Sequence, residues 1–272
     1  MLKFNLKRNE IFYILILVIF FLENKLIADE VSLKRSVNNE ARKLENSNRD
    51  IFRNPLQTLL FFGIKPDDTV LEILPGKGYY SEILSLYLKK EGKFFVASFG
   101  ENHPIEPLRN IDKNYQNYFN QNKSIFGNIN ITDFKNNSYL SQIKNNSMDM
   151  VLTFRNNHNW IYSNNIDEIY SSINKVMKKN GILGVVQHKA DFHDKNLKNG
   201  YVEENYLINI ITKHGFKLIE SSDINRNYTD IKDYPKGVWT LPPTLRLGEK
   251  DKEKYLTIGE SDRMTLKFKK IN

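Results

Sequence analysis

Two stretches of this sequence gather side chains that could do chemistry. The first is Arg155-Asn156-Asn157-His158-Asn159-Trp160. Imidazole titrates near neutrality, so His158 could take a proton from an attacking oxygen or nitrogen. Arg155 could hold an anionic group, and Trp160 could cover an apolar or planar one. The bland alternative is a polar loop whose Trp160 packs on the core. The second stretch, Val70-Leu71-Glu72-Ile73-Leu74-Pro75-Gly76-Lys77-Gly78-Tyr79-Tyr80, reads as a strand, an acidic residue, a glycine turn and a helix start. Glycine there lets the backbone turn tightly and approach a ligand with no side chain between them.

Three smaller groups accompany these. His188 and His193 lie near Asp191 and Asp194, but their irregular spacing in a loop argues against a metal site. His188, at a strand end, could instead face a substrate. Glu260, Ser261, Asp262 and Arg263 precede the last strand; they could reach a pocket or form a buried ion-pair turn. Trp239 opens a Trp-Thr-Leu-Pro-Pro segment within about 40 residues of aromatic, proline and glycine punctuation, and loops of that length in a compact domain are often functional.

The elements that must position these groups alternate. Short apolar runs predict strands at 69–74, 93–98, 124–132, 148–154, 181–187, 216–222 and 263–270. Apolar residues at helical spacing predict helices at 79–90, 105–119, 166–179 and 201–214, with a shorter one at 56–62 that Gly63 and Pro66 stop. Such alternation implies an α/β fold with a mostly parallel sheet and helices on both faces. No clear helix separates the last two strands, so the final one can run antiparallel.

Composition sets outer bounds. With 40% hydrophobic and 12% aromatic residues in 272, the chain can build a real core, so disorder is not expected. It has no cysteine, which excludes disulfides, thiolate nucleophiles and cysteine-based zinc sites. The formal charge is +8, yet the lysines are dispersed in pairs, so a solvated basic surface is expected and a nucleic-acid partner is not. Lys3, Lys7 and Arg8 precede an apolar run from Ile11 to Leu22 and a polar stretch ending at Ala28. That run is short for a membrane span and suits a secretory signal, with an uncleaved anchor as the rival reading. Either sends the folded part across the membrane, to a periplasmic or exported location, with membrane contact only through residues 1–28. Residues 29–65 then form a helical lead-in to a domain at 66–272.

The glycine turn after the first strand, Met148-Asp149-Met150-Val151-Leu152, Lys179-Asn180-Gly181-Ile182-Leu183 and the antiparallel last strand together resemble the class I S-adenosylmethionine-dependent methyltransferases, over roughly residues 66–270. More specifically, Arg53-x-Pro55, Phe61-Phe62-Gly63-x-x-Pro66, Glu72-x-x-Pro75-Gly76-x-Gly78-x-Tyr80-x-Glu82-Ile83-Leu84, Arg155-Asn156-x-His158-x-Trp160 and Gly259-Glu260-Ser261-Asp262-Arg263-Met264 are similar to a family of predicted bacterial methyltransferases. Many of its members carry an export signal, and their substrate is not established.

The resemblance implies a Rossmann-like, seven-stranded sheet and S-adenosylmethionine as cofactor. Glu72, Pro75, Gly76, Gly78 and Tyr80 would line the cofactor, Ser98 would stand where the general family holds the ribose with an acid, and Asp133 would meet the adenine edge. Leu74 stands in place of a usual first glycine. His158 and Arg155 become the catalytic candidates. Asn156, Trp160, His188, Trp239, Asp262 and Arg263 are the candidates for holding a small or envelope-associated acceptor, and residues 224–262 are the candidate lid. A non-catalytic exported ligand-binding protein with the same fold is the alternative. A nicotinamide-dependent dehydrogenase fits less well, since the turn lacks the three-glycine fingerprint.

Overall fold

The computed structural model describes residues 27–192 and 198–271. Residues 1–26, and with them the apolar run, lie outside this range, as do His193 and Asp194. Among the described residues no helix is long and apolar enough to cross a membrane.

The lead-in is helical at α1 (residues 27–37), α2 (Leu44–Ser47), α3 (Asp50–Arg53) and α4 (Pro55–Phe62). Asn54, in left-handed conformation, separates α3 from α4, and Pro55 opens α4 at a position where its missing N–H costs nothing. The lead-in is not a separate layer: Leu33, Val37, Leu59 and Phe62 share one buried cluster with sheet residues Val70, Val96 and Leu152.

The alternating part runs β1 (Thr69–Ile73), α5 (Tyr79–Leu88), β2 (Lys93–Ser98), α6 (Glu106–Gln121), α7 (Lys123–Phe126), β3 (Ile129–Asp133), β4 (Met148–Phe154), α8 (Asn157–Tyr162), α9 (Ile166–Val176), β5 (Met177–Ala190), β6 (Val202–Glu203), α10 (Glu204–Thr212), β7 (Phe216–Ser222), α11 (Lys252–Ile258) and β8 (Arg263–Lys270). Seven strands lie side by side in the order β3-β2-β1-β4-β5-β8-β7, and the two-residue β6 pairs with the end of β5. β1 to β5 are parallel, and β8 is antiparallel to both β5 and β7. The expected mostly parallel sheet with an antiparallel last strand is therefore present, with β8 inserted between its neighbours. Side chains alternate between faces, so Leu71 and Ile73 join the cluster under α9 and α10, while Val70 joins the opposite cluster with α5 and α6.

Several expected boundaries differ. Lys123–Phe126 is a helical turn, and Gly127, at φ +77°, breaks it before β3 begins at Ile129. A short apolar run does not by itself separate a helical turn from a strand. β5 starts at Met177, ahead of Gly181. The stretch before β8 is partly ordered into a 3₁₀ turn (Gly237–Thr240) and α11.

Candidate active site at the ends of the first and fourth strands

β1 and β4 are neighbours in register, Ile73 opposite Thr153, so the chain leaves both strands at the same edge. Leu74 (φ +49°) and Arg155 (φ +64°) then each turn into the left-handed region. For residues bearing a Cβ this costs about 1–2 kcal/mol each, and strain of this kind clusters at functional sites. Leu74 thus takes the backbone conformation that a glycine would take freely. Asn156 Nδ2 donates to the Ile73 carbonyl (3.0 Å) and to Thr153 Oγ1 (3.1 Å), stitching the two strand ends together.

A cavity of about 390 Å³ opens at this edge. Its floor is the glycine turn, with Leu74, Pro75, Gly76 and Lys77, and one wall carries Arg155, Asn156 and His158 from the β4 end. His188 from β5 lies beside His158, the rings 5.5 Å apart. Trp239 approaches the His158 ring edge-on at 5.7 Å and, with Pro242, Pro243 and Thr244, also lines the cavity. Tyr80 also lines the cavity, stacked on Phe154 at 3.7 Å. A Cβ built on Gly76 would meet no atom within 4 Å, so the turn faces open space there.

Glu72 is fully enclosed, accepts from Ser81 Oγ at 2.5 Å and borders the cavity. Burial pushes its carboxyl up to about 8, against the lowering effect of the Ser81 bond. It is therefore a neutral acid at physiological pH.

His158 is buried, and its protonation is legible from its partner. Gln187 Oε1 accepts from the Asn157 backbone N–H at 3.2 Å, which fixes the amide so that Nε2 points at His158 Nδ1, 3.1 Å away, and at the Gly200 carbonyl. An amide N–H can only donate, so Nδ1 accepts and the neutral ring carries its proton on Nε2. Burial, followed by the charge of Arg155, holds the ring pKa down to about 4. His188 Nδ1 is paired with Ser261 Oγ at 2.5 Å.

The lead-in supplies part of the site that sequence reasoning left out. Arg49 and Arg53 line the cavity. Arg49 Nε donates to Glu260 at 2.7 Å, Arg53 Nε donates to it at 2.9 Å, and Arg263 adds a bond of 3.2 Å. Burial pushes the Glu260 carboxyl upward, but the guanidiniums of Arg53, Arg263, Arg155 and Arg49 outweigh it and hold the group at about 2. The two lead-in arginines lie four positions apart just before a proline, one helical turn from each other, and that spacing was the available signal.

Six of the expected contacts fall elsewhere. Ser98 is buried with an unpartnered hydroxyl and does not border the cavity; Phe99, the next residue, does. Asp133 is half-exposed at the end of β3, its carboxylate against Gly100. Gly78 is roofed by α6, since a Cβ there would lie 2.9 Å from the Phe119 ring. Trp160 points into the core, stacked on Phe134 at 5.8 Å. Asp262 accepts from Arg226 Nε and the Asn227 backbone N–H, both at 2.8 Å, and Arg263 is bound to Glu260 and two carbonyls. These last two form the ion-pair turn that anchors the long loop. That loop is pinned rather than free: Asn225 bonds Thr58 and Thr265, and Val238 N–H donates to the Asn199 carbonyl. Asp191 pairs with Lys232.

No protein-family model and no curated protein matches this chain. Solved structures do. A SAM-dependent methyltransferase from Aquifex aeolicus superposes with a TM-score of 0.56 at 14% identity, covering 89% of this chain and 98% of that one. Phosphoethanolamine N-methyltransferase 2 of Haemonchus contortus, solved with S-adenosyl-L-methionine, gives 0.54 at 15% identity over 81% of this chain and 53% of its own. The [4+2]-cyclase SpnF gives 0.54 at 12% identity over 91% and 94%. The fold is the Rossmann-like methyltransferase fold. Because the same fold carries a cyclase, the reaction of this chain must be argued from the site.

Proposed function

We propose that this protein transfers a methyl group from S-adenosylmethionine to a small or envelope-associated acceptor. The observation that carries the reading is the cavity itself, which joins the open glycine turn after β1 to the Arg155–His158 segment after β4 under this fold. The cofactor suits the cavity floor: the space over Gly76 admits a ligand against bare backbone. No acid stands at the end of β2; Asp112 on α6 is buried with Oδ1 unpartnered but, like Ser98, does not line the cavity.

When bound, the cofactor supplies an activated methyl group, and the protein's task is to hold an acceptor in line with it. Arg155 orients the acceptor. His158 donates a hydrogen bond from Nε2 rather than acting as the base first expected, because its other nitrogen is occupied by Gln187. Trp239 and the two prolines add apolar lining that excludes water. The export expectation for residues 1–28 stands as part of this proposal, tested by fusing the first 35 residues to a compartment-sensitive reporter.

Calorimetric titration of the purified protein with S-adenosylmethionine and S-adenosylhomocysteine tests the reading. Saturable binding of both is expected. Absence of binding by either at millimolar concentration removes the methyltransferase reading.

A further inference from the structure

The arginines around Glu260 outnumber their counter-ions. Arg49, Arg53, Arg155 and Arg263 surround a single carboxylate. Glu260 already receives bonds from Arg49, Arg53 and Arg263. Arg263 is spent structurally: its remaining donors go to the Ser261 and Phe52 carbonyls. The other three guanidiniums face the cavity. Arg49 and Arg53 each retain a buried terminal nitrogen with no partner. No hydrogen bond or ion pair holds the Arg155 side chain among the described residues.

Among the described residues, other acids do not cover this surplus. Asp50 is taken by Arg42 and by Tyr79, and Asp262 by Arg226 and Lys232. An enclosed guanidinium without a counter-ion is costly. Three cavity-lining guanidiniums, two of them sharing one carboxylate and Arg155 with none, make a cradle for negative charge. The planar guanidinium fork also matches two oxygens of a carboxylate or phosphate at once.

We infer that the acceptor is itself an anion, a small molecule carrying a carboxylate or phosphate group that is clamped by Arg53 and Arg155. This rests on the methyltransferase reading above. S-adenosylmethionine brings one carboxylate of its own, which uses one arginine; the three cavity-lining arginines against the one Glu260 carboxylate leave a surplus of two positive charges, which exceeds that single charge and leaves room for a second anion. Arg155 follows β4 and shares the cavity wall with His158, so an anion held there lies beside the imidazole donor. Arg53 comes from the lead-in, which gives that segment a role in acceptor choice.

The test is calorimetric titration of the full-length protein with inorganic phosphate, alone and with saturating S-adenosylhomocysteine. Phosphate should bind in both conditions and weaken as salt rises. Arg155→Met should weaken it by about tenfold or more. Arg53→Lys, which keeps the ion pair with Glu260 but loses the fork, should weaken it by a smaller factor while the protein stays folded. Three results overturn the inference: no phosphate binding at millimolar concentration, phosphate displaced competitively by S-adenosylhomocysteine, or phosphate binding unchanged in Arg155→Met. Displacement would assign the arginines to the cofactor's carboxylate. Phosphate binding without any S-adenosylhomocysteine binding would instead sink the methyltransferase reading and the acceptor role with it. Loss of phosphate binding alone leaves that reading standing.

Discussion

Arg53 and Glu260 are joined by hydrogen bonds of 2.9 and 3.1 Å from one guanidinium nitrogen, although 207 positions separate them in the chain. The pair fastens the lead-in to the segment that enters the last strand, directly behind the cavity. Among the described residues Glu260 is the one carboxylate paired with Arg49, Arg53 and Arg263, so Glu260→Gln leaves buried positive charge uncompensated. A loss of about 3–5 kcal/mol is expected at neutral pH. The folded carboxyl sits at about 2, below its ordinary value. Its contribution is therefore complete above the unfolded pKa and fades as pH falls toward 2. Denaturant melts of wild type and variant should diverge at neutral pH and converge in acid. A gap that stays constant with pH would remove the charge argument.

Glu72 carries the opposite sign. Its folded carboxyl keeps its proton to about 8, whereas the unfolded chain releases one near the ordinary value. Between those two pKa values, stability falls as pH rises, by up to about 1.4 kcal/mol per unit. Glu72→Gln removes this penalty. Its melting temperature should rise relative to wild type on going from mildly acidic to mildly alkaline buffer, then level off. A constant difference would mean that Glu72 is ionised in the folded protein.

The two glycines of the turn should separate binding from folding. Gly76 (φ +61°) faces empty space, while Gly78 (φ +85°) is pressed against the rings of Phe119 and Tyr115. Gly76→Ala should cost about 1 kcal/mol of backbone strain and leave the fold intact, yet lose most affinity for S-adenosylhomocysteine. Gly78→Ala adds a 2.9 Å clash to the strain and should cost about 1–3 kcal/mol more. Thermal melts paired with titration resolve the two. Equal affinity in Gly76→Ala and wild type would take the ligand off this turn.

His158 should titrate well below neutrality, because burial and Arg155 both oppose its charged form. Nitrogen-15 spectra of the five histidines, with His158→Ala used for assignment, should show a neutral ring protonated on Nε2 from about pH 5 to about pH 8. A ring protonated on Nδ1, or an imidazolium near pH 6, would contradict the Gln187 geometry. In turnover, His158→Ala should lower kcat by about 10²-fold while leaving cofactor affinity nearly intact. A parallel loss of both would make the residue structural.

Local physics made much of this protein readable from its residues. The apolar runs at 148–154, 216–222 and 263–270 became β4, β7 and β8 with those bounds, because alternating side chains and flanking turns are properties of a short segment. The glycine turn was legible for the same reason: left-handed backbone after a strand needs residues that tolerate it. The Ser124-Ile125-Phe126 segment was not, since so short a run with two apolar residues satisfies either period and Gly127 decided the outcome.

The site divides along the same line. The chain's own order already put Glu72, Gly76, Arg155 and His158 at strand ends. Only the tertiary structure determined that Trp160 turns into the core beside Phe134 while Trp239, far along the chain, faces His158. Only it gathered Arg49 and Arg53 around Glu260, and turned Ser98 and Asp133 away from the cavity. Those choices depend on charge pairing and packing between segments distant in the chain, some 200 residues apart for the arginines and Glu260. No local period encodes which buried carboxylate a given guanidinium will meet, because that partner is chosen when the sheet closes and water leaves the space between them.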